Sequence, residues 1–411
     1  MKLNRYLPFA YIYFFINSLA LPFGLTYTSL LAPFFYIWVL VIRKKEIVLP
    51  FIAILLPFII IHIAVVEAEI IPYAVSLLNL LLAYIFCQAV YTFLQECKDI
   101  EKIFQRILVI NFIFCLLAIP LYFTSYFPVM WDEQVLTEGV GKLRRLRLFT
   151  YEPSYYALLF TPLFFYFLLQ YFFRQNTIKG GWLLLMLFLP FILSFSIGVV
   201  GAVFLAGLTT WVIHFRKLTS KRRILNAIVT GSVIVISSMV VLVLFFRQNP
   251  FFTRVKNILD GQDSSGKGRT VDAFLLANKM LQEKNEYWGI GLGQIKIFGD
   301  NIIRNYYQYN MDITVTIPSA AAETLAIFGW TGFLLRIVVE VFLFFYTRVW
   351  TNYYRLLLFF FIFVYQFAGS FITNVAEYVI WILAFTNVFH QFDVKRGNRK
   401  SAPTLIAPET V

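Results

Sequence analysis

Three guanidiniums and one carboxylate crowd one short stretch, Arg144-Arg145-Leu146-Arg147-Leu148-Phe149-Thr150-Tyr151-Glu152-Pro153-Ser154-Tyr155. Arginine's planar fork grips phosphate oxygens in pairs, so the chemistry suggested is capture of an anion. Three arginines against one glutamate leave positive charge over, which favours a bound anion. Pro153 suits the first turn of a helix, because its missing N–H would be unpaired there anyway. Glu152 then stands at the positive end of a helix dipole. There it caps the helix and neutralises one arginine.

A second cationic stretch is Gly266-Lys267-Gly268-Arg269-Thr270. An amphipathic helix is predicted over 270–284, followed by Trp288-Gly289-Ile290-Gly291-Leu292-Gly293. Glycines permit turns and close approach to a ligand. Neither glycine run has the strand context or spacing of a nucleotide-binding loop. Taken alone, Arg269 reads as a solvated surface cation. Tyr306, Tyr307 and Tyr309 form an aromatic cluster that stacks on sugar rings or belongs to an interfacial belt.

The third stretch, Pro318-Ser319-Ala320-Ala321-Ala322-Glu323, runs on to Gly329-Trp330-Thr331-Gly332. Its small residues allow tight helix packing. Glu323, partly desolvated, suits either a general base or a hydrogen-bonded structural carboxylate. Arg336 and Glu340 are four apart within one apolar run and are expected to pair with each other. His62, His214 and His390 are unpromising, since none lies in a polar segment on the outer side.

The elements that must hold these residues follow from composition. The chain of 411 residues is 60% hydrophobic and 14% charged, with mean hydropathy +0.74. Soluble domains are about half apolar and about a quarter charged. Continuous, non-alternating apolar runs of helix-spanning length imply an all-α polytopic membrane protein, not a barrel. The net charge of +13 lies mostly in short loops between these runs, which is an orientation signal and argues against nucleic acid as a partner. Cys87, Cys97 and Cys115 lie in or beside apolar runs, so no disulfide framework or zinc spacing is expected. The first apolar run lacks an obvious cleavage site, so no cleavable signal peptide is expected.

About twelve spans are predicted within the single domain 1–411: over 6–23, 25–42, 47–66, 71–94, 103–123 and 153–173. Two more divide the block 182–215 near Ser194–Gly198, and the rest cover 224–246, part of 319–347, 356–373 and 375–391. Basic inner loops place both termini in the cytoplasm and leave two larger outer loops, 124–152 and 247–317. The tail 392–411 is then cytoplasmic, and its last residues read as disordered.

Four local patterns resemble the O-antigen polymerase and O-antigen ligase superfamily. They are Arg147 through Ser154, the small-residue turn Ser194–Gly201, Gly268-Arg269-Thr270 with Gly289–Gly293, and the closing segment Pro318–Gly332. The resemblance implies a glycan donor on undecaprenyl diphosphate, used on the periplasmic face of the bacterial inner membrane without nucleotide sugar, metal or other cofactor. It implies that Arg147 and Arg269 hold the diphosphate, with Arg144 and Arg145 as auxiliaries. Tyr155, Tyr306 and Tyr307 would contact sugar, and Glu323 and Glu152 are the candidate bases. Ligases carry a histidine-asparagine pair shortly before the second closing glycine, where this chain has Pro318-Ser319, so the polymerase branch is favoured. The partners implied are the lipid-linked oligosaccharide, membrane lipids and a chain-length regulator protein. The alternatives are a ligase acting on lipid A-core or protein, a lipid-linked oligosaccharide flippase or transporter, and a purely structural membrane protein.

Overall fold

The structure is a computed structural model that describes residues 6–18, 26–44, 46–135, 142–175, 178–215, 217, 260, 264–307 and 316–394. Apolar runs hide their backbone polar groups by coiling into helices, and the chain is mostly helical. Helix α1 (Leu7–Tyr11) continues into a wider π turn over Ile12–Ile16. There follow α2 (Tyr27–Leu30), α3 (Ala32–Arg43), α4 (Val48–Ala64), α5 (Ile70–Glu96) and α6 (Ile100–Leu121). After a short ribbon come α7 (Pro153–Phe173), α8 (Gly180–Ser194) and α9 (Ile197–Ile213). The second polar segment contributes α10 (Ser264–Arg269), α11 (Val271–Glu283) and α12 (Phe298–Tyr307). The described chain closes with α13 (Ala320–Tyr346), α14 (Tyr353–Tyr365) and α15 (Val375–Phe385).

Among the described residues, α5, α6, α7 and α13 are long and apolar enough to cross a membrane. The pair α3 and α4, bent by 119° at its junction, adds a fifth if taken as one span. The helical stretch Leu7–Ile16 and helices α8, α9, α14 and α15 are apolar but shorter, below the ~20 residues that cross a hydrocarbon core without tilt or thinning. The predicted span over 224–246 and the tail from 395 lie outside the described residues.

Local chemistry sets the boundaries. Helix α7 starts on Pro153 and ends where Arg174 turns left-handed, φ 58°. Helices α8 and α9 separate at Phe195, also left-handed at φ 50°. Helix α7 is buried along nearly its whole length and forms the centre of the largest core, with rings from α6, α14 and the segment after α15. Tyr166 packs on Phe104, Tyr354, Phe389 and Phe392 there.

Two features depart from an all-helical reading. The first polar segment folds into an antiparallel ribbon, β1 (Trp131–Val135) on β2 (Lys142–Leu146). Opposite charges face each other across it, Glu133 against Arg144 and Asp132 against Arg145. Such cross-strand pairs stabilise a sheet, and Trp131 and Leu146 bury the ribbon against the bundle.

The second departure is a break in α13 at Gly329, φ 65° and ψ −169°. A helix broken at this point frees backbone groups that must find partners inside the protein. The turn-and-loop stretch 286–291 supplies them. Ile290 N–H donates to Ala326 O at 2.9 Å and Gly291 N–H to Ile327 O at 3.0 Å. In return, Trp330 N–H donates to Glu286 O at 3.1 Å and Thr331 N–H to Tyr287 O at 3.0 Å. The fit admits no side chain at either crossing. A Cβ on Gly289 would stand 2.3 Å from Ile327 O, and one on Gly329 would stand 2.4 Å from the Tyr287 carbonyl. The second polar segment is thereby locked onto α13.

Candidate functional site

The ribbon delivers three arginines to one end of the bundle, and each reaches a protein acceptor. Arg144 pairs with Glu133 at 3.2 Å, donates to Tyr122 O at 2.5 Å and lies 3.8 Å over the Phe127 ring. Arg145 is only 8% exposed and donates to Ser194 O at 3.2 Å, satisfying the last carbonyl of α8. Arg147 donates to Pro128 O at 2.7 Å and to Thr150 O at 3.4 Å, so it closes its own loop. Glu152 occupies the position before α7, but its carboxylate accepts from the Ser154 hydroxyl instead of from backbone N–H groups.

Arg269 differs. It ends α10, and among the described residues its guanidinium makes no hydrogen bond or ion pair. It acts electrostatically on Tyr151 together with Glu152, Tyr155 and Tyr365. On Tyr365 it acts together with Glu152, Glu377 and Arg145. Arg269 from the second polar segment and Glu152 and Arg145 from the first therefore act on the same pair of phenols, Tyr151 and Tyr365. Arg147, the first-ranked partner of Arg269 in the sequence reading, is turned to its own loop, and Arg145 is the ribbon arginine that shares surroundings with Arg269.

The tyrosines divide similarly. Tyr155 is 4% exposed and its hydroxyl accepts from Asn17 at 3.3 Å. Tyr306 and Tyr307 donate to Asp272 at 3.0 and 3.4 Å, tying α12 to α11, and Lys279 lies over the Tyr306 ring. The hydrogen bond to the Asp272 carboxylate raises the Tyr306 phenol above its ordinary pKa, keeping it a neutral donor. Tyr309 lies outside the described residues.

Glu323, on the first half of the broken α13, accepts from Ile372 N–H at 2.7 Å. Arg336, Glu377 and Lys296 act on it electrostatically. One turn and more below the break, Arg336 pairs with Glu340 at 3.1 Å, as the four-residue spacing suggests. It also donates to Gln366 at 2.8 Å and Thr324 at 2.9 Å, and forms an ion pair with Glu377. Gln366 closes the ring by donating to Glu340 at 2.8 Å. Sequence reasoning missed Glu377 and Gln366. Their signal was available, because a polar group in an apolar run needs a partner.

His62 was set aside because no histidine lies in either long polar segment, yet it is buried against the second of them. Its Nε2 stands 2.7 Å from Trp288 O and its Nδ1 3.1 Å from the Tyr73 hydroxyl. A carbonyl only accepts, so Nε2 carries the hydrogen, and in the neutral ring Nδ1 accepts from Tyr73. His62 pins the segment that interlocks with Gly329.

Beside Arg336 lies an apolar cavity of about 510 Å³ between α4, α5, α13 and α15, lined by Phe58, Tyr84, Phe328 and Trp381 with Arg336 and Glu340 at its polar wall. Its lining residues Ile54, Leu335 and Val339 are also exposed on the outside of the bundle. Among the described residues no group of His, Cys, Asp and Glu has the arrangement to hold a metal ion. No family model matches the chain, and no curated protein matches it in sequence.

Proposed function

We propose that this chain is a polysaccharide repeat-unit polymerase, a glycosyltransferase of the inner membrane with about twelve spans, cytoplasmic termini and a periplasmic site. The observation that carries the reading is Arg269, a cation without a protein acceptor among the described residues, acting with Glu152 on two tyrosines, one of them also acted on by Arg145. An anion on the ligand would complete it. The apolar cavity beside Arg336 would give a hydrocarbon chain somewhere to lie.

The chemistry would run as follows. An acceptor hydroxyl on the next lipid-linked unit attacks C1 of the sugar at the reducing end of the growing chain. The C1–O bond to the diphosphate breaks, and its electron pair leaves with undecaprenyl diphosphate. The hydroxyl proton passes to a carboxylate, Glu152 or Glu323. Arg269 stabilises the negative charge growing on the leaving diphosphate, and this counts for rate only where it strengthens in the transition state.

The second reading is a transporter of lipid-linked oligosaccharide, favoured by the buried charges around Arg336. Against it, Arg336 is matched by protein acceptors on every side, which makes that cluster a tie between helices rather than a path. The lipid-linked glycans of a deletion strain separate the readings. Accumulation of single repeat units on the outer leaflet supports the polymerase. Long polymer left on undecaprenyl diphosphate points to a ligase, and units confined to the inner leaflet point to a transporter.

A further inference from the structure

Tyr151 stands apart from the other site tyrosines. Tyr155 and Tyr365 are 4% and 3% exposed, whereas Tyr151 is 45% exposed. Tyr306 and Tyr307 are tied through their hydroxyls to Asp272. The Tyr151 hydroxyl makes no hydrogen bond among the described residues. Its ring is backed by Tyr155, with centroids 4.7 Å apart and planes at 32°. A ring backed by a buried neighbour is already ordered, so a ligand that stacks on it loses little extra freedom. Exposure alone would suit an aromatic-belt anchor. A belt residue, however, faces lipid, and the Tyr151 phenol lies in the field of Glu152 and Arg269.

We infer that Tyr151 is the platform on which a pyranose ring of the ligand stacks, a binding and specificity residue beside the anion held by Arg269. The apolar C–H face of a pyranose packs on an aromatic face, while the phenol hydroxyl remains free to bond a sugar hydroxyl. Since Arg269 marks the diphosphate, the sugar within reach is the one attached directly to it. The inference rests on the lipid-linked glycan reading, and it adds that this first sugar is recognised by Tyr151.

The test uses full-length protein in detergent and two probes: undecaprenyl diphosphate without sugar, and the same lipid bearing one hexose or N-acetylhexosamine. The expected result is that the wild type binds the sugar-bearing probe more tightly than the bare one. Tyr151→Phe, which keeps the flat face but not the hydroxyl, retains most of that preference, and Tyr151→Leu reduces it by about three- to tenfold, with bare-lipid binding and melting temperature unchanged. Leucine keeps the apolar character of a belt residue but offers no flat face. Full sugar preference in Tyr151→Leu would overturn the inference, as would equal binding of both probes by the wild type. In either case tight binding of the bare lipid would leave the diphosphate reading standing. Binding of neither probe would remove both.

Discussion

Charges converge at two places in this molecule, and the two are built in opposite ways. Around Arg336, a guanidinium meets Thr324 and Glu340 of its own helix, Glu377 of α15 and Gln366 at the end of α14. Glu377 there is 1% exposed. At one end of the bundle, Arg269 acts on Tyr151 and Tyr365 alongside Glu152, with Arg145 also acting on Tyr365, but is bonded to none of them. Both places hold arginine and glutamate, and composition does not tell them apart. The lesson lies in pairing: a guanidinium that meets carboxylates and amides of the protein ties its elements together, and one that meets none among the described residues is available to a ligand.

Substitutions that strike the two places should break this comparison in graded fashion. The largest loss of stability is expected for Arg336→Ala, which leaves Glu340 and Glu377 buried without their cation, at about 3–5 kcal/mol. Folded, monodisperse yield and melting temperature in detergent measure it, and near-normal melting would show the cluster to be dispensable. Next comes the interlock. Gly289→Ala or Gly329→Ala forces a side chain into a left-handed position and against a carbonyl, at about 2–4 kcal/mol. Amide exchange at Ile290, Gly291, Trp330 and Thr331 should accelerate together, whereas unchanged protection would mean that the four bonds do not act as one unit. His62→Ala removes the bond to Trp288 O and leaves the Tyr73 hydroxyl unmatched, at about 1–3 kcal/mol. Its melting curve should lie between those of the glycine variants and the wild type. Arg147→Ala costs about 1 kcal/mol, since it loses two carbonyl contacts in the first polar segment. Limited proteolysis of the 124–152 segment should detect that loosening.

Much of this division was legible from sequence, and the reasons for the rest are physical. Pro153 and the basic Arg174 bracket α7, so its ends are written locally. The split between Ser194 and Ile197, the amphipathic Val271–Glu283 helix and the Arg336–Glu340 pair are likewise products of short spacing. The ribbon was hidden because Arg144-Arg145-Leu146-Arg147 shows no clean alternation, and its pairing depends on Asp132 and Glu133 eleven or more residues away. The two glycine runs were visible but unconnected. Only the fold shows that Gly289 and Gly329, forty positions apart, are two halves of one contact. The rank order of the arginines was not legible at all. Which guanidinium finds a carbonyl is settled by backbone geometry, and Arg147, Arg145 and Arg144 found theirs while Arg269 finds none among the described residues.

The smallest effect on stability is expected for Arg269→Ala, within about 0.5 kcal/mol, because its guanidinium gives up no hydrogen bond or ion pair among the described residues. The direct measurement is made on purified protein in vesicles supplied with undecaprenyl-diphosphate-linked repeat units, with product length read on a gel beside a melting curve. Arg269→Ala should melt with the wild type and yield no glycan longer than one unit. A variant that melts normally and still builds the wild-type ladder would contradict the account.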